Sequence, residues 1–199
     1  GYVHLPNTLY AGNRSLFKNF LPQTTKEAMI IDDRYNGGGF IPEHMITWLA
    51  RKPLNYWKRR GVEPTKTPQF AHDGPKAMLI NGYSSSGGDA LPYYFRQAGL
   101  GKLIGTRTWG GLIGISGNPG LVDGGSVIAA TFRILDNEGN WIIEDEGVSP
   151  DIEVIDRPEL IQAGKDPSVE RAVKELLDEL EANPKKPLTV PAAPSNFGQ

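Results

Sequence analysis

The chain has 199 residues, 39% hydrophobic and 22% charged, with a formal net charge of -2 at pH 7 and no cysteine. That length suits one sizeable domain, and the near-neutral balance gives no electrostatic basis for binding nucleic acid or an anionic membrane. The missing cysteine excludes a disulfide framework, a thiolate metal site and a cysteine nucleophile. No apolar run reaches the length of a membrane-spanning helix. The chain opens at Gly1 inside a strand-like run, without a methionine or a visible signal peptide. It reads as a fragment of a longer protein, and the compartment stays open.

In chain order, "GYVHLP" predicts a short strand ended by Pro6. "NRSLFKNFLPQT" carries Leu16, Phe17, Phe20 and Leu21 at helical spacing. "KEAMIIDDR" predicts a buried strand ending on carboxylates, and "YNGGGF" a loop too rich in glycine for regular structure. "IPEHMITWLAR" returns to helical spacing, whereas 52–75 shows no period and reads as an irregular excursion. "KAMLIN" predicts a second buried strand, "GDALPYYFRQAGL" a helix and "GKLIGTRT" a third strand. Strands alternating with helices predict an α/β fold with mainly parallel pairing. "SVIAATFRILDNEGNWIIEDEGV" predicts two strands joined by a turn at "DNEGN". "PSVERAVKELLDELEAN" predicts an amphipathic helix with Asp166 or Ser168 at its cap. The division expected is a core over 1–183 and a proline-rich tail over 184–199.

"NGYSSSGGDALPYYF" follows a buried strand with a tight Ser/Gly turn and then a helix. A serine there faces the unpaired N–H groups and positive dipole end of a helix, which suits attack on a carbonyl. The spacing is not the G-x-S-x-G elbow of the α/β-hydrolases, and a loop that only caps a helix explains the same residues. A nucleophilic serine also needs a base. His4 lies on the first strand, His44 on the surface of a predicted helix and His72 in the irregular segment. Spacing does not choose among them.

In "IIDDRYNGGG", successive glycines leave backbone N–H groups able to bind an oxyanion. A phosphate loop is excluded, because no G-K-[ST] or G-x-G-x-x-G pattern is present. Asp32, Asp33 and Arg34 are expected to hold the loop by hydrogen bonds. A carboxylate–metal hydrolase at Asp32 and Asp33 is a weaker alternative, since no further ligand cluster stands nearby.

Together, "GYVHLP", "IIDDRYNGGG", "NGYSSSGGD", "GTRTWGG" and "EDEGVSPDIEV" occur in the order seen in the core of C-terminal processing and tricorn-type serine peptidases. The chain resembles this family from Gly1 to about Asn183. The resemblance implies a crotonase/ClpP-like sandwich of mainly parallel strands with packed helices, plus a β-hairpin and a C-terminal helix. It implies a peptidase acting on peptides or unfolded proteins without a cofactor or metal. The Ser/Lys branch carries its lysine base where this chain has Gly111, and Arg107 cannot replace it, because a guanidinium stays protonated. The tricorn-type branch uses a first-strand histidine, here His4. The resemblance then makes Ser86 the nucleophile, His4 the base and Glu144 the acid, with Glu146 as competitor. It gives the oxyanion hole Gly87 with Gly39, or Gly38 in its place. The family's second relay serine has no evident counterpart, since Val3 precedes His4. Trp57 stands where some members carry an acid selecting Lys or Arg, so an apolar or small preference is expected. Trp57, Arg59 and Trp109 are the expected substrate-binding residues. A homo-oligomer and upstream PDZ or propeller modules in the full-length protein are further expectations. The competing reading is a catalytically inactive peptide- or ligand-binding relative of the same fold.

Overall fold

The computed structural model describes residues 1–192. The chain forms β1 (Tyr2–His4), α1 (Tyr10–Ser15), β2 (Met29–Asp32), α2 (Pro42–Leu49), β3 (Asn55–Trp57) and β4 (Thr65–Thr67). It continues with β5 (Lys76–Ile80), α3 (Gly87–Gln97), β6 (Gly101–Gly105), β7 (Ile113–Gly114) and β8 (Phe132–Arg133). β9 (Ile152–Glu153), α4 (Pro158–Gln162) and α5 (Pro167–Ala182) complete it. α1 runs on through a π-helical turn, Leu16–Phe20, so the predicted helix forms with a changed pitch.

A five-stranded sheet has the order β1-β2-β5-β6-β9, and every pairing in it is parallel. Its middle strands are covered on both faces, which explains their uninterrupted apolar runs. Ile31, Met78, Ile80 and Leu103 pack with Phe20, Met45, Leu49, Leu91 and Phe95 on the α2–α3 side. Ile30, Ala77, Leu79 and Ile104 pack with Ala172 and Leu176 of α5 on the other. Each of the isoleucine, leucine, methionine and phenylalanine side chains contributes about 1.5–3 kcal/mol relative to exposure.

The outer edge of β1 is closed by side chains. Tyr2 N donates to Gln23 Oε1 (3.1 Å), Gln23 Nε2 donates to Tyr2 O (2.9 Å), and Ser15 Oγ donates to His4 O (2.6 Å). The Gln23 amide thus stands in for a neighbouring peptide group and blunts strand addition at this edge.

The parallel strands all end at one edge, where the loops after β1, β2 and β5 meet. Such carboxyl edges are where α/β sheets place their sites. Arg34, just past β2, anchors this edge. Its guanidinium is bonded to Asp32 (2.7 Å), Asp156 (3.0 Å) and Asp166 (2.9 Å). Tyr2 OH donates to Asp32 Oδ2 (2.6 Å). Asp166 is the α5 cap, accepting from Val169 N at 3.0 Å. Burial alone would raise the Asp166 carboxyl, but bonds from Arg34 and the Val169 N–H hold it below its ordinary value. Asp32 is therefore engaged by protein donors, as expected of a residue that holds the loop.

Some expectations need correction. The segment 52–75 contains the antiparallel pair β3–β4. The predicted hairpin around "DNEGN" reduces to one Leu135–Trp141 bridge, and β8 pairs instead with β7. Ser168 does not cap α5; its Oγ donates to Asp156 Oδ1 (2.8 Å). The expected tail lies partly outside the described residues.

Candidate active site

The turn after β5 gives its serines different environments. Ser84 is fully buried, and its Oγ donates to Asp33 O at 2.8 Å. Ser85 N donates to Asn36 O at 2.9 Å. Ser86 is half-buried and precedes α3 with φ 57° and ψ -115°, and its side chain makes no capping bond. A non-glycine residue at positive φ costs about 1–3 kcal/mol and persists only where the surroundings fix it. Here the result is an elbow that places Ser86 at the positive end of the α3 dipole.

The glycine loop after β2 supplies those surroundings. Asn36 is fully buried. Its Nδ2 donates to Leu5 O (2.9 Å) and Asp33 Oδ1 (2.8 Å), and its Oδ1 accepts from Gly38 N (2.8 Å). Thr8 N donates to Gly38 O (2.8 Å) and Ile41 N donates to Thr8 O (3.1 Å), so the chain after β1 brackets the loop. Gly38 takes φ 81° and Gly39 φ 139°. A Cβ on Gly38 would stand 2.7 Å from Ser86 Cβ and 2.9 Å from Gly87 N; one on Gly87 would stand 2.8 Å from Gly39 N. Only glycine allows these backbones to approach so closely.

The N–H groups separate the oxyanion candidates. Gly38 N is committed to Asn36. Gly39 N and Gly87 N meet no acceptor among the described residues. Two unengaged N–H groups beside a strained serine can bind a developing oxyanion. Asp33 and Asp89 are buried nearby, and burial pushes both carboxyls up. Asp89 Oδ1 accepts from Gly110 N (2.8 Å), which ties the loop after β6 to the start of α3.

The other predicted residues lie as follows. His4 is exposed at the end of β1, and its Nε2 lies 3.3 Å from Arg34 O rather than on Ser86 Oγ. β1 and β5 flank β2, so they are about 10 Å apart. Glu144 is half-buried, with Oε2 accepting from Leu112 N at 2.6 Å. Trp109 is exposed, and its N donates to Ser84 O at 2.9 Å. Trp57 and Arg59 line a separate depression of about 520 Å³ with Val62, Glu63 and Lys66. Lys66 Nζ donates to Thr24 O (3.0 Å), ahead of β2, which ties β4 to the amino edge of the sheet. A cavity of about 260 Å³ borders Gly39 and Gly87 instead, walled by Phe40, Ala90, Tyr94, Leu112 and Phe132, with Glu43 and Arg133 beside them.

Sequence reasoning missed Asn36 and Asp89 as organisers of the site. The signals were present: an asparagine opening a glycine run, and an acid in the first turn of the helix after the serines.

A sequence profile of peptidase family S41 matches residues 1–154. The chain is 34% identical to the tricorn protease of Thermoplasma acidophilum over 180 residues, 90% of this chain and 17% of that protein. It is 34% identical to tricorn protease homolog 1 of Streptomyces coelicolor over 194 residues, 98% of this chain and 18% of that protein. The crystal structure of the tricorn protease superposes with a TM-score of 0.86 at 34% identity, covering 91% of this chain and 18% of that one. The photosystem II D1 C-terminal processing protease shares the fold, with a TM-score of 0.61 at 21% identity. The chain thus spans about a fifth of the length of the relatives it matches. With its mainly parallel sheet, its glycine loop and the serine elbow beside it, the chain belongs to peptidase family S41, among the tricorn-like members.

Proposed function

We propose that residues 1–183 form the catalytic core of a serine peptidase that cleaves peptides or unfolded proteins, with Ser86 as nucleophile. The observation that carries this reading is the strained Ser86 beside the unengaged Gly39 and Gly87 N–H groups.

Ser86 Oγ attacks the scissile carbonyl carbon while its proton passes to His4 Nε2, which turns from Arg34 O to receive it. The carbonyl π pair moves onto oxygen, and Gly39 and Gly87 donate to the resulting oxyanion. When the tetrahedral adduct collapses, the C–N bond breaks and His4 returns the proton to the leaving amine. Water then attacks the acyl-Ser86 ester with the same base, releasing the acid and the free serine. Each oxyanion donor is worth about 2.7–4 kcal/mol. Glu144 acts at the edge of this relay, positioned through Leu112 N. The side chain before the cut enters the 260 Å³ cavity beside Gly39 and Gly87, whose aromatic and aliphatic walls favour an apolar residue. Trp109, exposed and bonded through its N–H to Ser84 O, serves as a further substrate contact.

A fluorophosphonate probe followed by mass spectrometry tests the reading. The expected result is modification of Ser86, abolished in Ser86→Ala and strongly slowed in His4→Ala. Modification of Ser84 or Ser85, or none at all, would overturn it.

A further inference from the structure

Tyr35 and Tyr83 stand on the two loops that flank Ser86, one before the glycine run and one three residues ahead of the serine. Their rings stack at 5.3 Å between centroids and 18° between planes. Both are exposed, at 66% and 72%. The arrangement is built rather than incidental. Asn81 Oδ1 accepts from Tyr35 N and from Tyr83 N, each at 3.1 Å. Tyr35 is held at φ 62°, a conformation that disfavours a bulky side chain. Backbone strain spent on keeping an aromatic ring in solvent points to a state in which the ring is covered.

The pair stands apart from the cavity beside the nucleophile. Tyr35 follows Arg34, which reaches Asp156 and Asp166 at the start of α5. The cavity bordering Gly39 and Gly87 is walled instead by residues of α2 and α3 and by Leu112 and Phe132, and neither tyrosine lines it. We propose that Tyr35 and Tyr83 form a subsite for an aromatic side chain on the leaving side of the scissile bond, so that a peptide filling the cavity crosses Ser86 towards them. A flat ring is the occupant that extends a stack of this geometry, and aromatic pairs add to plain area burial. The inference rests on the reading of Ser86 as nucleophile.

The test uses internally quenched peptides identical up to the cut and carrying phenylalanine or alanine in the two positions after it, with cleavage sites mapped by mass spectrometry. The native chain should favour the phenylalanine peptide about tenfold in kcat/KM, carried by KM. Tyr83→Leu, which keeps an apolar side chain without the flat ring, should shrink that preference to about threefold or less. Tyr35→Leu is the second variant and should do the same. Equal handling of the two peptides by the native chain, or an undiminished preference in both variants, would overturn the subsite. Fluorophosphonate labelling of Ser86 in the native chain separates the two claims. Labelling without a ring preference sinks the subsite alone, whereas absence of labelling sinks the nucleophile assignment and the subsite with it.

Discussion

Replacing Gly38 by alanine should disable the site, while the same change at Gly37, one residue earlier, should not. The new Cβ at Gly38 would stand 2.7 Å from both Ser86 Cβ and Ser85 O, and 2.9 Å from Gly87 N. Ordinary carbon–carbon contacts are about 3.5–4.0 Å, so Ser86 must shift by about an ångström. A misplacement of that size typically costs about a hundredfold in rate. Alanine at φ 81° adds about 1–2 kcal/mol of backbone strain. For a chain of this size each kcal/mol lowers Tm by about 2–4 °C. Gly37 has nothing within 4 Å of the corresponding position. The assay is the second-order rate of fluorophosphonate labelling at Ser86, read beside a thermal melt. Gly38→Ala should label about a hundredfold more slowly and melt a few degrees lower, and Gly37→Ala should match the native chain in both. Native-rate labelling of Gly38→Ala would refute the packing of the glycine loop against the nucleophile. Equal losses in the two variants would refute the claim that Gly38 is special.

Three further outcomes follow from the same geometry. Arg34→Met strands Asp32, Asp156 and Asp166 against one another and should destabilise the fold by about 3–5 kcal/mol in urea titrations, with Arg34→Lys recovering only part, because an ammonium cannot reproduce the two-pronged contact. Ser84→Ala removes the bond to Asp33 O and should cost about 1 kcal/mol of stability, yet Ser86 should still be labelled; loss of labelling together with full stability would make Ser84 the nucleophile. His72 is buried, and burial, with Lys76 nearby, pulls its imidazole down to about 4. Its folded-state pKa lies below the unfolded value of about 6.5, so its contribution is complete above that value and drains away as pH falls towards 4. His72→Phe should flatten the fall in stability across that window relative to the native chain, and identical pH profiles would contradict the assignment.

The sequence revealed the elements whose cause is local or strongly patterned. β2 and β5 were legible because strands covered on both faces are apolar throughout, and a cap at Asp166 or Ser168 was legible because short polar side chains before a helical stripe favour that position, the structure then choosing Asp166. β3 and β4 escaped because neither buries a face: Asn55–Trp57 is exposed throughout and Thr65–Thr67 nearly so, leaving no alternation to read. The region from Ser126 to Trp141 was overread for the related reason that residues of strand-like composition stay largely exposed and pair only at β8 and at two isolated bridges, Gly120–Ser126 and Leu135–Trp141. In the site, composition does not distinguish three consecutive serines; the structure buries Ser84 and gives Ser86 a strained backbone, differences that depend on loops from three separate strands. The order of Gly39 before Gly38 came from the family resemblance alone; its physical support is the Asn36 side chain, which takes the Gly38 N–H and leaves that of Gly39 unengaged.

The most direct test of the account is a crystal structure of the chain after reaction with a small fluorophosphonate. The account predicts a phosphorus bonded to Ser86 Oγ, with one phosphoryl oxygen about 2.7–3.1 Å from both Gly39 N and Gly87 N. A phosphoryl oxygen turned to solvent, or held by Gly38 N after release from Asn36, would contradict the oxyanion hole described for this site. Phosphorus on any other residue would contradict the nucleophile itself.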